Sequence, residues 1–317
     1  MRFAFTDDQL AFRDAVRDLL TRECPPGVVR AAWSNADGRS GGAWKALGEM
    51  GALGVMVGEE HGGLGLTELD AVLLAEEAGR AALPDPFVEH TLAGAPLVAT
   101  EEAASGAVTV TAASGRDLVP WADSADVLVV GGVAVEARAA RLDPRPAVDG
   151  ARRLAAVEVA GAPPLRTLDP AERDLTADRI ALGYAAQLLG LSTRMLETTV
   201  AYVSERRQFG VPIGTFQAVK HHLADCRLAI EFAAPLVYRA AYSLAHRDPD
   251  APVHVSMAKA QASDAAELVA RHALQCHGAI GYSDEHDLHM WMKRAWALAA
   301  AGGDAAWHRE RVARAIL

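Results

Sequence analysis

The sequence has few aromatic residues, few cysteines and no long apolar run, and each shortage excludes a class of protein. Aromatic side chains make up 6% of its 317 residues, which disfavours a β-rich fold. Cys24, Cys226 and Cys276 are odd in number and widely spaced, so we expect free thiols and a cytoplasmic location rather than a disulfide framework. No run of about 18 apolar residues is present to span a membrane. Met1 to Thr6 show no basic region followed by an apolar core, so we expect no signal peptide.

Basic residues are also in short supply relative to acidic ones. Lys and Arg total 31 against 41 Asp and Glu, which gives a net charge of −10. A nucleic-acid surface needs clustered Lys and Arg, so we expect no nucleic-acid partner. The chain is instead rich in apolar residues, at 51%, and many of them are alanine. This content is too high for a disordered chain and favours a helical, globular protein.

Hydrophobic patterning divides the chain into three regions. Residues 1–104 form an N-terminal α-helical domain in this prediction, because apolar side chains recur there at helical spacing. Residues 105–172 form a small, truncated β domain, where short apolar runs such as 127–130 are separated by Pro and Gly. Residues 173–317 carry four or five long helical patterns, which predict an antiparallel bundle. The predicted fold class is therefore mainly α with a small β domain.

Three segments carry polar residues that do not fit a simple solvated helix face. Tyr202 to Asp225 places arginines beside a helix-ending turn with an aromatic residue, which can hold a phosphate, although a capped turn with solvated arginines is the commoner explanation. Gln275 to Tyr282 has small residues that let a ligand approach the backbone, but it is also typical of a glycine-terminated helix. Gly58 to Gly65 lacks the Lys-Ser/Thr end of a phosphate loop, so we expect a structural turn there.

Together, these segments resemble the acyl-CoA dehydrogenase family. The matching stretches follow the family order over nearly the whole chain, and they are FTDDQLAFRDAVRDLL, LGEMGALGV, EEHGGLGL, ERRQFGVPIGTFQAVKHHLAD, QCHGAIGY and MWMKRA. The resemblance implies an N-terminal helical domain, a β-barrel-like middle domain and a C-terminal four-helix bundle. It also implies an oxidoreductase that introduces an α,β double bond into an acyl-CoA thioester with FAD bound at a subunit interface.

The resemblance assigns cofactor contacts to five residues. In this family, one subunit holds the flavin ring, and its neighbour reaches the pyrophosphate and adenine of the same FAD. The positions that match the neighbour's contacts are Arg206, Phe209, Gln275, Gly278 and Ala279. Ala279 replaces the family's usual second glycine, which is a small departure from the pattern.

The family's catalytic carboxylate has no counterpart in this sequence. The reaction needs a Glu that removes the α-proton, and the family's two positions for it are occupied here by Gly303 and Ile180. Neither side chain can accept a proton. Asp304 lies beside the first position and Asp178 near the second, but an Asp is one methylene shorter, and a misplacement of about 1 Å can cost 100-fold in rate. We therefore assign no catalytic residue and keep Asp304 as a weak candidate.

The middle region lacks a further part of the family pattern. We find no T-E-P-x-A-G-S-D-like or W-I-T-N-like segment between Phe87 and Asp178, and these segments cradle the flavin in the family. A chain without base and cradle resembles the short subunit of actinobacterial α2β2 acyl-CoA dehydrogenases of steroid side-chain degradation. The resemblance implies two partners, a full-length catalytic subunit and an acyl-CoA with a bulky steroid group. Two alternatives stay open: a self-sufficient homo-oligomer with a divergent base, and a non-redox scaffold or acyl-CoA-binding protein.

Histidines and acids between residues 277 and 289 could be mistaken for a metal site. Their spacing gives no pair of histidines four residues apart with a third ligand. The stretch also matches a loop of the family. We therefore expect no bound metal.

Overall fold

The computed structural model describes residues 4–115 and 118–317. Its N-terminal region is helical, with a π-helical segment over Val88–Gly94. The α-helices are α1 (Asp7–Glu23), α2 (Pro26–Ala32), α3 (Gly42–Glu49), α4 (Glu68–Arg80), α5 (Ala95–Val98) and α6 (Glu101–Ser105). Thr6 and Thr67 cap α1 and α4 through capping boxes. Helix α2 was not predicted, because Pro26 both follows the end of α1 and serves as a favourable first residue for a new helix.

The middle region consists of short strands in two sheets. The strands are β1 (Val110–Ala112), β2 (Val119–Pro120), β3 (Val127–Val130), β4 (Val133–Glu136), β5 (Arg141–Arg145), β6 (Leu154–Glu158) and β7 (Arg166–Thr167). One sheet has the order β1-β3-β4-β7 and the other β2-β6-β5. Strands β1 and β3 are parallel, and the other described pairs are antiparallel. Leu128 and Val135 of the first sheet share a small apolar core with Val119 and Ala155 of the second.

Long helices form the C-terminal region. They are α7 (Pro170–Glu205), α8 (Gln217–Ala245), α9 (Ala251–His277), α10 (Leu288–Ala300) and α11 (Ala305–Ile316). A hairpin of β8 (Arg207–Gln208) and β9 (Val211–Pro212) connects α7 to α8. Helix α7 begins three residues before the predicted start of the bundle domain, because Asp169 caps it in a capping box and Pro170 occupies its first position.

A single large apolar core joins the N-terminal helices to the bundle. Helices α4 and α7 approach closely enough to require glycine. A Cβ on Gly190 would lie 1.9 Å from the Glu76 carbonyl oxygen, and one on Gly79 would lie 2.2 Å from the Gln187 carbonyl oxygen. This contact holds α7 firmly against the N-terminal region. The predicted fold class, mainly α with a small β domain, is confirmed. None of the helices within the described residues is both long and apolar enough to cross a bilayer.

Candidate functional site

Helices α7 and α9 run parallel to each other, and the candidate site residues lie at or near their ends. Near their C-terminal ends, the ring of Tyr202 stacks on that of His277, with 4.3 Å between the ring centroids. Near their N-terminal ends, the Arg311 guanidinium donates to Asp178 of α7 at 2.6 Å and to Ser256 of α9 at 3.3 Å. The C-terminal ends of α7 and α9 therefore lie together at one end of the bundle, and their N-terminal ends lie together at the other.

The predicted site residues divide between these two ends. Asp178 and Arg206 are 28 positions apart in and just beyond the same helix, which corresponds to about 42 Å at the rise of an α-helix. We call residues 202–217 with 275–286 the hairpin end. We call residues 174–181 with 300–311 the α11 end. No single dinucleotide cofactor can contact both ends of one chain.

At the hairpin end, the turn between α7 and α8 presents charge and aromatic surface to solvent. Arg206 caps the C-terminus of α7, and its side chain is exposed. Phe209 at the tip of the hairpin has a φ of 53° and is 91% exposed, with only the edge-on ring of Phe216 beside it at 6.2 Å. Helix α8 begins at Gln217 without a side-chain cap. An exposed guanidinium beside the uncapped N-terminus of a long helix favours a phosphate group.

The end of α9 supplies the rest of the hairpin end. Gln275, Gly278 and Ala279 are all exposed. Gly278 ends α9 with a φ of 65°, and a Cβ on it would meet nothing within 4 Å. The position therefore uses the backbone freedom of glycine, and it is open to an approaching ligand. The structure brings all five residues that the resemblance assigns to FAD contacts to this one end of the bundle.

His277 is a polar group at the hairpin end to which the sequence analysis gave no role. Its Nδ1 lies 2.8 Å from the Ala273 carbonyl oxygen, whereas its Nε2 is buried without a hydrogen-bond partner among the described residues. Burial lowers the pKa of His277, so the ring is neutral at neutral pH. Nδ1 then carries the proton, and Nε2 is a buried acceptor without a donor among the described residues.

At the α11 end lie Gly303 and Ile180, the two positions where the resemblance places the catalytic carboxylate. Gly303 has a φ of 92°, and a Cβ on it would lie 2.6 Å from the Trp307 ring and 3.0 Å from the His308 Nε2. A glutamate at residue 303 would need the loop and α11 to move. Ile180 is 1% exposed and belongs to the main apolar core. Gly303 is half-buried and lines a cavity at this end, whereas the Ile180 side chain is enclosed in the core.

The two aspartates near those positions are already engaged. Asp304 is the N-cap of α11, and its carboxylate accepts the Trp307 amide at 2.8 Å. Asp178 is 3% exposed and accepts two hydrogen bonds from Arg311, at 2.6 and 3.2 Å. Burial raises the pKa of Asp178 even though Arg311 opposes the shift. Both aspartates line a cavity of about 470 Å³, but each carboxylate serves the fold.

Further polar contacts fix the loop that contains Gly303. The Lys259 ammonium is fully buried and donates to Ser263, to the Ala299 carbonyl and to the Gly303 carbonyl, each at 3.1 Å. His308 lies 3.0 Å from the Gly302 carbonyl, and burial lowers its pKa to about 4. Neither residue carried a signal in the sequence, because a lone Lys or His on a helix has no motif.

A buried polar network fills the space behind this loop. Tyr184 donates to the Glu89 carboxylate at 2.6 Å and accepts from Arg152 at 2.8 Å, and Arg152 lies 3.6 Å from Glu89. All three side chains are buried. A Cβ on Gly302 would lie 3.1 Å from the Tyr184 ring. The network therefore lies directly against the loop and joins the N-terminal region, the β region and the bundle.

A second buried ion pair reinforces the same junction. Arg294 of α10 pairs with Asp149 of the β region and donates to the Leu83 carbonyl at 2.9 Å. Within residues 4–115 and 118–317, no group of three or more His, Cys, Asp or Glu residues could hold a metal ion. The buried polar groups at this junction thus hold the N-terminal region, the β region and the bundle in contact.

Comparison with known proteins identifies the family. The model of the acyl-CoA dehydrogenase N-terminal domain matches residues 6–108, and that of the C-terminal domain matches residues 170–317. The acyl-CoA dehydrogenase IpdE2 of Mycobacterium tuberculosis is 33% identical over 91% of this chain and 91% of its own length. The chain belongs to the acyl-CoA dehydrogenase family. Acyl-CoA dehydrogenases are oxidoreductases that use FAD, so the predicted enzyme class and cofactor are confirmed at that level.

Solved acyl-CoA dehydrogenases have the same fold. A variant of the steroid ACAD Tcur3481–Tcur3483 superposes with a TM-score of 0.91 at 24% identity, covering 98% of each chain. The ChsE4–ChsE5 complex from Mycobacterium tuberculosis gives a TM-score of 0.90 at 22% identity, covering 99% of this chain and 98% of the other. At these identities the similarity establishes the fold. The two family models leave residues 109–169 of this acyl-CoA dehydrogenase unmatched.

Proposed function

We propose that this chain is the non-base subunit of a heteromeric, FAD-dependent acyl-CoA dehydrogenase of the cytoplasm. It completes the FAD site of a full-length catalytic partner subunit, and it supplies no base for α-proton removal. The assembled enzyme introduces an α,β double bond into an acyl-CoA thioester. The residues it contributes to the partner's FAD are Arg206, Phe209, Gln275, Gly278 and Ala279.

The contrast between the two ends of the bundle carries this proposal. The hairpin end presents its assigned residues to solvent, where a neighbouring subunit's cofactor can reach them. The α11 end has no Glu at either family position, and a Cβ on Gly303 would lie 2.6 Å from the Trp307 ring. Because the ends are about 42 Å apart along α7, one chain cannot unite them around a single FAD.

The donor set of the hairpin end fits the outer half of FAD. The Arg206 guanidinium has no carboxylate partner among the described residues, and the uncapped amides of α8 follow in the same turn. Both suit a pyrophosphate. The exposed ring of Phe209 suits an adenine face. At the α11 end, residues 180 and 303 carry no carboxylate, and Asp178 and Asp304 are hydrogen-bonded within the chain.

The division of roles follows from these groups. Bound FAD supplies the acceptor for the hydride that leaves the acyl β-carbon. Arg206 and the first amides of α8 hold the pyrophosphate, and Phe209 covers the adenine and excludes water from it. The Gln275 side chain and the backbone at Gly278 fix the orientation of the same part of the cofactor. Removal of the α-proton requires a carboxylate of the partner, since Asp178 and Asp304 are engaged within this chain.

We infer a bulky acyl group, such as a steroid side chain, as the substrate class. One structural neighbour is named as a steroid ACAD and another as a complex of two different chains. An assembly in which only some subunits hold a complete site leaves space beside each site for a large acyl group. This assignment depends on the heteromeric proposal above.

Co-expression tests the proposal. We expect this chain, expressed alone, to purify without the flavin absorbance of a bound FAD. It should also show no acyl-CoA dehydrogenase activity. Co-expressed with a full-length paralogue that keeps the family Glu, it should give a yellow complex that oxidises acyl-CoA. An active, flavin-loaded homo-oligomer of this chain alone would support the self-sufficient alternative. A stable complex without flavin would support the scaffold alternative.

A further inference from the structure

A cleft far from both ends of the bundle has the chemistry of an anion site. It has a volume of about 310 Å³ and opens where α1, α4, α7 and α10 meet. Three arginines line it, namely Arg17 from α1, Arg80 from α4 and Arg194 from α7, and the indole of Trp291 from α10 forms part of the wall. A concentration of guanidinium groups is unexpected in a chain with ten more acids than bases.

Carboxylates hold two of these arginines in place. The Arg17 Nη2 and Nε lie 2.5 and 3.0 Å from the Glu77 carboxylate. The Arg80 Nη1 and Nη2 lie 2.8 and 2.6 Å from the two oxygens of Glu197. Each pairing orients a guanidinium but leaves some of its five N–H groups for another acceptor. Asp14 also lies 3.6 Å from the Arg17 Nη1, so Arg17 and Arg80 are matched by acids and the charge left for a ligand is that of Arg194.

Arg194 is the group without a counterion. It is half-buried, and the contact recorded for it is with the face of Trp291, 5.8 Å from guanidinium carbon to ring centroid. Within residues 4–115 and 118–317, no carboxylate forms an ion pair with it. Among the described residues, every other arginine is either exposed or paired with an acid. A partly desolvated guanidinium held by an aromatic face is arranged to receive an anion.

The remaining wall does not oppose a negative charge. Cys24 also lines the cleft, and burial raises the pKa of its thiol to about 12, so it stays neutral at physiological pH. Pro25 and Pro26 close one side and have no amide N–H to satisfy. The cleft therefore has one unpaired cation, two oriented guanidinium groups and rigid, neutral walls.

We propose that this cleft binds a small molecule through a carboxylate or phosphate group, with Arg194 as its principal contact. The site is separate from the FAD contacts at the hairpin end and does not depend on the heteromeric function. Phosphate and carboxylate share the planar, bidentate recognition that guanidinium groups provide. The volume accommodates a compact anion rather than a whole coenzyme.

Titration of inorganic phosphate into the full chain tests the proposal, with citrate as the carboxylate probe. Isothermal titration at constant ionic strength, balanced with KCl, should show saturable binding of at least one of the two, and the stronger one identifies the ligand chemistry. Arg194→Gln should weaken that binding at least tenfold. Arg138→Gln, which removes an exposed arginine of the β region, should leave it unchanged.

Two further measurements keep the result interpretable if Arg194→Gln folds poorly. Arg80→Gln should also weaken binding. The affinity of Arg194→Lys for the anion should lie between those of wild type and Arg194→Gln, because lysine keeps the charge but loses the two parallel N–H groups of the guanidinium. The bound anion should raise the Tm of wild type but not of Arg194→Gln. Three outcomes overturn the proposal: no saturable binding of either probe, equal binding by Arg194→Gln, or loss of binding when the chain is assembled with its partner subunit, which would make the cleft a subunit contact.

Discussion

The hairpin end and the α11 end are built on the same two helices, yet they use polar residues in opposite ways. At the hairpin end, Arg206 and Phe209 are exposed and make few contacts within the chain. At the α11 end, Asp178, Lys259 and His308 are buried and hydrogen-bonded within the chain. Polar groups that serve folding are satisfied internally. The open groups of the hairpin end are those that the proposed function assigns to another subunit's cofactor.

The largest effect is expected when a charge is removed from the buried Glu89–Tyr184–Arg152 network. Arg152→Ala leaves Glu89 buried without its cation and Tyr184 without a donor. We expect the free energy of unfolding to fall by about 3–5 kcal/mol. Urea denaturation measures it, with Arg138→Ala in the exposed part of the same region as the control, for which a change within about 0.5 kcal/mol is expected. Similar losses for both variants would mean that the network does not hold the domains together.

The opposite change at the hairpin end should affect cofactor binding and not stability. Arg206→Ala in the assembled complex should weaken FAD binding by about 10- to 100-fold, because a charge-assisted hydrogen bond contributes about 1.5–3 kcal/mol. The free energy of unfolding of the chain should change by less than about 0.5 kcal/mol, since the side chain is exposed. Fluorescence titration of the apo complex with FAD measures the affinity. Arg22→Ala, at an exposed arginine of α1, is the control, and equal FAD affinity for both variants would remove Arg206 from the site.

The closure of the base position can be tested with a pair of glycines. Gly303 and Gly161 have similar φ values, 92° and 83°, but a Cβ meets Trp307 and His308 at the first and nothing within 4 Å at the second. Both alanine variants lose stability, because alanine disfavours the left-handed backbone conformation. Gly303→Ala should therefore be less stable than Gly161→Ala by a further ~1–2 kcal/mol from overpacking. Thermal unfolding compares them, and equal losses would show that the position is open.

The pH dependence of stability should reveal the buried histidines. Burial lowers the pKa of His90 and of His308 from 6.5 to about 4. Between these values the unfolded chain takes up protons that the folded chain does not, so the free energy of unfolding falls as the pH falls from 6.5 towards 4. We expect a loss of about 1–2 kcal/mol per histidine at pH 5 relative to pH 7. His308→Gln should reduce this loss, whereas His61→Gln, at an exposed residue, should not. A loss unaffected by His308→Gln would argue against a neutral, buried His308.

The smallest effect is expected for the weak candidate base. Asn is as good an N-cap as Asp, so Asp304→Asn keeps the start of α11 but removes a proton acceptor. We expect turnover of the complex to change less than about twofold, whereas loss of a general base costs roughly 100-fold or more. Steady-state kinetics at saturating acyl-CoA decide the matter. A loss of two orders of magnitude with intact stability would make Asp304 the base.

The sequence could predict the fold class because long amphipathic helices and family stretches cover most of the chain. Periodicity indicated the long helices of the bundle, α7, α8 and α9. It did not indicate α2, because a proline pair is a stop signal and a start signal at once. The strands of the β region are two to five residues long, and such short runs leave their pairing order undetermined.

The candidate site was predictable only where a motif exists. The hairpin-end residues followed from stretches such as ERRQFG and QCHGAIG, and the structure places them at one end of the bundle. The crowding at Gly303 could not be predicted, because it depends on Trp307 and His308 lying 2.6 and 3.0 Å from a Cβ at that position. The Glu89–Tyr184–Arg152 network joins residues that are far apart in the chain, so only the tertiary structure brings it into view.

The most direct test of the account is reconstitution of the purified catalytic partner with this chain. Increasing amounts of chain are added to the partner and FAD, and retained flavin and acyl-CoA oxidation are measured at each step. We predict that both quantities rise together and saturate at a fixed ratio of the two chains, and that Arg206→Ala chain requires about 10- to 100-fold more FAD to reach the same level. A partner that is fully loaded and active without this chain would contradict the account.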